Sequence, residues 1–211
     1  IICLRYKYKL AISLMSEFQT KIDTLLLTQN TIDETLIVNI LMDGYYTQIF
    51  RLAMSILQNE DDAEDVSQET IISAVRSIKQ YTIGTNLKAW LFTMTVNKCR
   101  DNFRKHRRQQ NYLLEWHNHK KTMFLPLSPE DMTLRSETRE ELWKAVNKLK
   151  DKHRVPIILR FVHGLPIKEI SQILSCSEGT IHSRLHYAEK KLLTALRSDE
   201  RLMKDFMEYE L

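Results

Sequence analysis

His182 and His186 stand four residues apart in a stretch rich in hydrogen-bonding and basic side chains. At about 100° per residue on a helix, Ile181, Leu185, Ala188 and Leu192 fall on one face. Gly179, His182, Ser183, His186 and Lys190 fall opposite them, with Thr180, Arg184 and Tyr187 on the flanks. Small residues at the start of a helix and hydrogen-bonding or basic ones along it suit entry into a DNA major groove, where base edges are read. The same face also fits a plain solvated side of an amphipathic helix. Two histidines at this spacing can bind metal, but residue 183 is Ser, so the HExxH pattern is absent, and no third ligand is near in sequence.

A second set lies earlier. Thr93, Asn97, Arg100, Arg104 and Arg107 follow alternating four- and three-residue steps and form one helical ridge. Leu87, Leu91 and Met94, widened by Phe92, Val96, Cys99 and Phe103, lie on the other side. From Asn97 to Arg108 the bases Lys98, Arg100, Arg104, Lys105, Arg107 and Arg108 face a single acid, Asp101. Such a ridge suits a phosphate backbone. Trp90, Tyr81 and the loop before the helix could stack on unpaired bases, although Trp90 fits a core position better. A third set has the opposite charge, with Glu60, Asp61, Asp62, Glu64, Asp65 and Glu69 and no base among residues 60–69. On a helix here Ala63, Thr70, Ile71, Ala74 and Ile78 turn inward, while Asp61, Asp65, Gln68, Glu69, Ile72 and Arg76 gather outside. An apolar Ile72 among acids is what a protein-docking face presents, and it is equally compatible with an ordinary solvated face.

Helices must position all three sets. The chain has 211 residues with only four Gly and four Pro, and its apolar residues recur at three- and four-residue spacing, so it is expected to be all-α. Residues 33–57 read as a helix with the stripe Leu36, Ile40, Leu41, Ile49, Leu52, Ala53, Ile56 and Leu57, and with Gly44 as a break. Asn59 starts the next helix, which runs to Ile78, and Asn86 caps one reaching Arg108. SPED at 128–131 is a helix start, with that helix running to Lys150. Asp151 begins another, with Pro156 near its first turn and Gly164 as its stop. Two short helices, 166–174 and 178–196, then flank Ser175-Cys176-Ser177 as a helix-turn-helix candidate.

Composition narrows the function classes. The net charge is +4, so the separation of basic and acidic blocks informs more than the sum. Cys3, Cys99 and Cys176 form no CxxC pair, as fits a reducing compartment. No run of eighteen apolar residues occurs, and residues 1–14 lack a cleavage site, with Met15 as a plausible start. No Gly-rich phosphate loop, metal set or nucleophile–base pattern supports an enzyme.

Three separated strings resemble one family, the extracytoplasmic-function sigma factors of bacterial RNA polymerase. AEDVSQETI (63–71) is similar to its polymerase-docking segment, LKAWLFTMTVNKCRDNFRKHRR (87–108) to its −10 reader, and GLPIKEISQILSCSEGTIHSRLHYAEKKL (164–192) to its −35 helix-turn-helix. The resemblance covers residues 44–196 and implies two small helical domains joined by a flexible linker. The domains expected are an extension of unassigned role (1–30), a docking and −10 domain (31–108), a linker (109–127), a −35 domain (128–197) and a tail (198–211). Asp65, Gln68, Glu69 and Ile72 are then expected to meet the clamp helices of the polymerase largest subunit. Thr93, Asn97, Arg100, Arg104, Arg107 and Asn86 are expected at the −10 element, with the loop 82–86 near the unstacked strand. Thr180, His182, Ser183, Arg184, His186 and Lys190 are expected at −35. The implied partners are core RNA polymerase, promoter DNA and an anti-sigma factor, in the cytoplasm, with no cofactor and no catalysis.

The chain departs from the family pattern at several places. Ser175 stands where Gly is common, Ser67 where an apolar residue is usual, Ile71 where Phe is common, and His182 and Tyr187 where bases are common. Two rival readings exist. A self-sufficient helix-turn-helix regulator with a sensor domain explains 164–192 but neither the ridge nor AEDVSQE, and a helical interaction module leaves the basic face incidental.

Overall fold

The computed structural model describes residues 17–28, 33–112 and 136–196. Residues 1–14, the linker beyond residue 112, the SPED helix start and the tail 198–211 lie outside them, as do the side chains of 107–112, 136–140 and 196. Every described element is helical and no strand occurs among the described residues. The chain divides into two compact units, Ile1–Lys121 and Thr122–Leu211.

In the first unit, α1 (17–28) precedes α2 (Glu34–Leu57), α3 (Glu60–Arg76), a 3-10 turn (Ile78–Gln80) and α4 (Leu87–Tyr112). Side-chain caps set three of the helix starts. Asp33 accepts from the Leu36 N–H at 3.2 Å, Asn59 from Asp62 at 2.8 Å, and Asn86 from Ala89 at 3.0 Å. Glu60, Asp61 and Asp62 in the first turn of α3 complement its dipole. Gln58, in left-handed conformation at φ 55°, ends α2 and lets α3 fold back on it. Ile37, Leu41, Tyr45 and Ile49 of α2 join Ile71, Ala74 and Val75 of α3 and Leu87 and Leu91 of α4 in one core.

Four expectations are corrected here. Gly44 does not break α2, which runs through it unbroken. Leu36 is exposed, because it sits in the first turn of α2 beside the groove between α1 and α2. α4 continues four residues past Arg108 to Tyr112. Tyr81 belongs to the core at 5 % exposure, its hydroxyl donating to the Thr85 carbonyl at 2.6 Å, so it is closed off from any base stack. The structure also accounts for residues 17–28, to which the sequence assigned no role. Ile22 of α1 is fully buried, and Gln19 donates to the Thr85 carbonyl at 2.7 Å while accepting from the Leu87 N–H at 3.4 Å, tying α1 to the start of α4.

The second unit holds α5 (Ser136–Asn147), α6 (Asp151–Ile157), a π-type segment (Ile158–Val162), α7 (Ile167–Ile173) and α8 (Glu178–Leu196). Pro156 falls in the second turn of α6 rather than the first. It lacks the N–H that would continue the ladder, and the chain shifts into π geometry with His163 donating to Ile158 at 3.1 Å. Gly164, at φ +63°, then turns the chain. Trp143, Val155, Ile158, Leu159, Ile170, Ile173, Ile181 and Leu185 are buried and make up much of this core.

Candidate nucleic-acid and protein interfaces

The turn between α7 and α8 determines which way α8 faces. Ser175 adopts φ 50°, a conformation that costs a non-glycine residue about 1 kcal/mol. Its N–H donates to Gln172 and that of Cys176 to Ser171, closing the end of α7. The Ser177 hydroxyl caps α8 by accepting from the Thr180 N–H at 3.2 Å and also pairs with the Thr180 hydroxyl at 2.9 Å. Ile181, Leu185, Ala188 and Leu192 are buried against the rest of the unit. Gly179, His182, Ser183, His186 and Lys190 are exposed, as the spacing requires.

The six expected −35 residues therefore divide. The side chains of His182, His186 and Lys190 are exposed and make no hydrogen bond within the described residues. Ser183 is exposed but donates to the Thr180 carbonyl at 2.9 Å. Thr180 is half-buried and held by the Ser177 cap. Arg184 is half-buried and turns back to the turn, Nη1 donating to Cys176 Sγ at 3.7 Å. On the same flank, the Tyr187 ring stacks on His153 with centroids 4.2 Å apart, and Lys191 Nζ lies 5.9 Å from that ring centroid. The His153 Nδ1–H faces the Arg184 carbonyl at 3.4 Å, and burial pulls the imidazole below its ordinary range.

On α4 the ridge is formed as spaced. Asn97 and Arg104 are exposed and Thr93 and Arg100 half-buried, while Leu91, Phe92, Val96 and Cys99 are buried on the other side. Arg100 donates to Asn97 Oδ1 at 3.3 Å and Arg104 pairs with Asp101 at 2.8 Å. Thr93 spends its hydroxyl on the Ala89 carbonyl at 2.8 Å, and Asn86 spends its side-chain oxygen as the helix cap. The Arg107 side chain lies outside the described residues. Trp90 is partly buried and packs against Tyr81, ring centroids 5.5 Å apart.

On α3, Asp65, Gln68, Glu69 and Ile72 share one exposed side, with Ile72 49 % exposed. Gln68 donates to Glu64 at 3.2 Å, and Glu69 accepts from Lys98 of α4 at 3.3 Å. Ser67, at a usually apolar position, is fully buried and donates to the Ala63 carbonyl, so its hydroxyl costs no unpaired donor. Three polar contacts between elements escaped the sequence reading: Glu69 with Lys98, His153 with Arg184, and Asp62 with Asn102 and His106. Their separations of 29 to 44 residues carry no periodic signal. Among the described residues no three His, Cys, Asp or Glu side chains converge on a common point, and no described helix is long and apolar enough to cross a membrane.

Comparison with known proteins reports the same two segments. The family model for Sigma-70 region 2 matches residues 41–109 and that for Sigma-70, region 4, residues 139–192. The ECF RNA polymerase sigma factor EcfG of Rhodopseudomonas palustris (strain TIE-1) is 35% identical over 147 residues, 70% of this chain and 78% of that protein. The ECF RNA polymerase sigma factor SigW of Bacillus subtilis (strain 168) is 29% identical over 165 residues, 74% of this chain and 87% of that protein. Among solved structures, the sigma factor RpoE in complex with the anti-sigma factor NepR from Bartonella quintana is similar with a TM-score of 0.62 at 28% identity, covering 75% of this chain and 96% of that one. CnrH, in complex with the cytosolic domain of CnrY, shares the fold with a TM-score of 0.60 at 19% identity, covering 89% of this chain and 99% of that one.

Proposed function

The chain belongs to the extracytoplasmic-function sigma factors of the sigma-70 family, and from that premise we propose how its exposed faces divide the work of promoter recognition. A sigma factor binds core RNA polymerase and directs it to a promoter. Here α3 docks on the clamp helices of the largest subunit through Asp65, Gln68, Glu69 and Ile72. The α4 ridge of Asn97, Arg100 and Arg104, continued by Arg107, holds the −10 element as its strands part, with Thr93 and Asn86 shaping its edge. α8 enters the −35 major groove. There His182, Ser183 and His186 meet base edges, Lys190 meets phosphate, and Thr180 and Arg184 flank the contact. The phase of α8 carries this reading: its buried stripe of Ile181, Leu185, Ala188 and Leu192 leaves His182, His186 and Lys190 together on the open side.

The protein acts in the cytoplasm, catalyses nothing itself, and is held inactive by an anti-sigma factor. That last point is supported by the relative of known structure bound to NepR. Transcription by purified core polymerase on a promoter library tests the whole assignment. Initiation from a subset sharing −10 and −35 sequences is expected only with this chain added, and the chain alone is expected to leave duplex promoter DNA unbound. Tight binding of that duplex by the isolated chain would favour a self-sufficient regulator instead.

A further inference from the structure

The second half of α4 is held differently from the first. Leu91, Phe92, Val96 and Cys99 are buried, but past Cys99 no described side chain is: Asn102, Phe103 and His106 are half-buried, and Asp101, Arg104 and Lys105 are exposed. About 20 Å of helix follows Cys99, at roughly 1.5 Å per residue, and carries most of the basic ridge. This stretch meets one carboxylate of α3. The Oδ1 of Asp62 accepts from Asn102 Nδ2 at 3.3 Å and from His106 Nε2 at 3.0 Å.

We propose that Asp62 is a positioning residue for −10 recognition, orienting the outer half of α4 through Asn102 and His106. This inference rests on the reading that the α4 ridge holds the −10 element. Asp62 is in the first turn of α3, where a carboxylate complements the helix dipole. Asn59 caps its N–H at 2.8 Å, which fixes the backbone from which the carboxylate reaches α4. A carboxylate can only accept, so it selects the Asn102 amide orientation that presents Nδ2 and the His106 tautomer that carries hydrogen on Nε2. Asn102 and His106 are one turn apart on one side of α4, and Arg100 and Arg104, each two residues earlier, lie about 200° around the helix. Holding the first pair therefore fixes the rotation of the second pair toward solvent. The Asp62 side chain is 18% exposed and that of His106 35%, so the contact is part-buried and only partly screened by water.

The full chain assembled with core polymerase tests this, using Asp62→Ala, Asp62→Asn, the double change Asn102→Ala with His106→Ala, and Arg100→Ala. Core affinity, thermal midpoint and the rate at which promoter thymines become permanganate-reactive are measured for each. Asp62→Ala removes both hydrogen bonds and is expected to slow opening roughly tenfold or more, with core affinity unchanged. Asp62→Asn, whose amide oxygen still accepts, should restore most of the rate. The double change on α4 should reproduce the defect, which keeps the test open if Asp62→Ala fails to fold. Equal losses of core affinity and opening in Asp62→Ala would make Asp62 a plain structural residue and overturn the proposal. Normal opening in Asp62→Ala beside slow opening in Arg100→Ala would also overturn it. Normal opening in both would remove the −10 role of the ridge itself, and the inference with it.

Discussion

The ring of Phe18 lies directly over the backbone of Gly44: a Cβ at position 44 would sit 2.7 Å from Phe18 Cγ, 2.8 Å from Cδ2 and 3.0 Å from Cβ. The atoms in the way are the root of the Phe18 ring, so the side chain cannot swing aside without α1 moving. Alanine in a helix interior is favoured over glycine by about 1 kcal/mol, but overpacking a fitted contact costs about 1–3 kcal/mol. Gly44→Ala is therefore expected to destabilise the protein. In a Phe18→Ala background the two ring contacts are gone and only the Cβ at 3.0 Å remains, so the same change should cost much less. Urea unfolding of the four proteins measures the difference, and a stabilising Gly44→Ala in the parent would refute the contact.

Docking on polymerase is expected to fail through the exposed side of α3. The double change Asp65→Arg with Gln68→Ala should weaken core binding roughly tenfold or more, as loss of an interface anchor does. Both side chains are exposed, so circular dichroism should show unchanged helix content. Unchanged affinity would place the docking face elsewhere.

Base-reading and phosphate-holding residues on α8 should fail in different ways. His186→Ala is expected to relax preference at one or two −35 positions, each by about 1–3 kcal/mol. Lys190→Ala should weaken all sequences alike and lower the salt dependence by about one unit. Scoring a −35 library with both variants at two salt concentrations separates them. A preference altered by Lys190→Ala but not by His186→Ala would show that α8 enters the groove on another face.

His153 should make stability fall as the solution becomes acidic. Burial holds its folded pKa below the usual value, opposed in part by the bond to the Arg184 carbonyl, with the Lys152, Arg184 and Lys150 charges also lowering it. Above about pH 6.5 the imidazole is neutral folded and unfolded, and its contribution is complete. As pH falls below that value the unfolded chain binds a proton the folded one excludes, so stability drops until the folded pKa is reached. His153→Phe keeps a ring against Tyr187 without the titration and should flatten the urea midpoint between about pH 7 and 5 relative to the parent. Identical slopes for parent and variant would contradict the assignment.

Local pattern was enough for the faces of α3, α4 and α8. Ile71 and Ala74 against Ile72, Leu91 and Cys99 against Asn97, and Leu185 and Ala188 against His186 all fall on the sides that the helical repeat assigns. The helix starts at Asn59 and Asn86 were equally legible, because a cap is a bond to a backbone three residues away. The place of Tyr81 is not legible in the sequence because it lies in a loop, where no period says which side is inward. The role of Gly44 is not legible because a glycine that breaks a helix and one that admits a neighbouring ring look alike in sequence.

By itself, then, the sequence determined that this chain is helical, which side of each long helix is apolar, and which family it resembles. These depend on bonds and spacings within a few residues, which the repeat of about 3.6 residues makes readable. Only the tertiary structure decided that α1 joins the first core, with Ile22 buried and Gln19 tied to Thr85. It also decided that Arg184 turns back to Cys176, and that Asp62 holds Asn102 and His106. Each of these contacts depends on how two elements pack: a carboxylate in the first turn of α3 meets an imidazole 44 residues later only once both helices have buried their apolar faces.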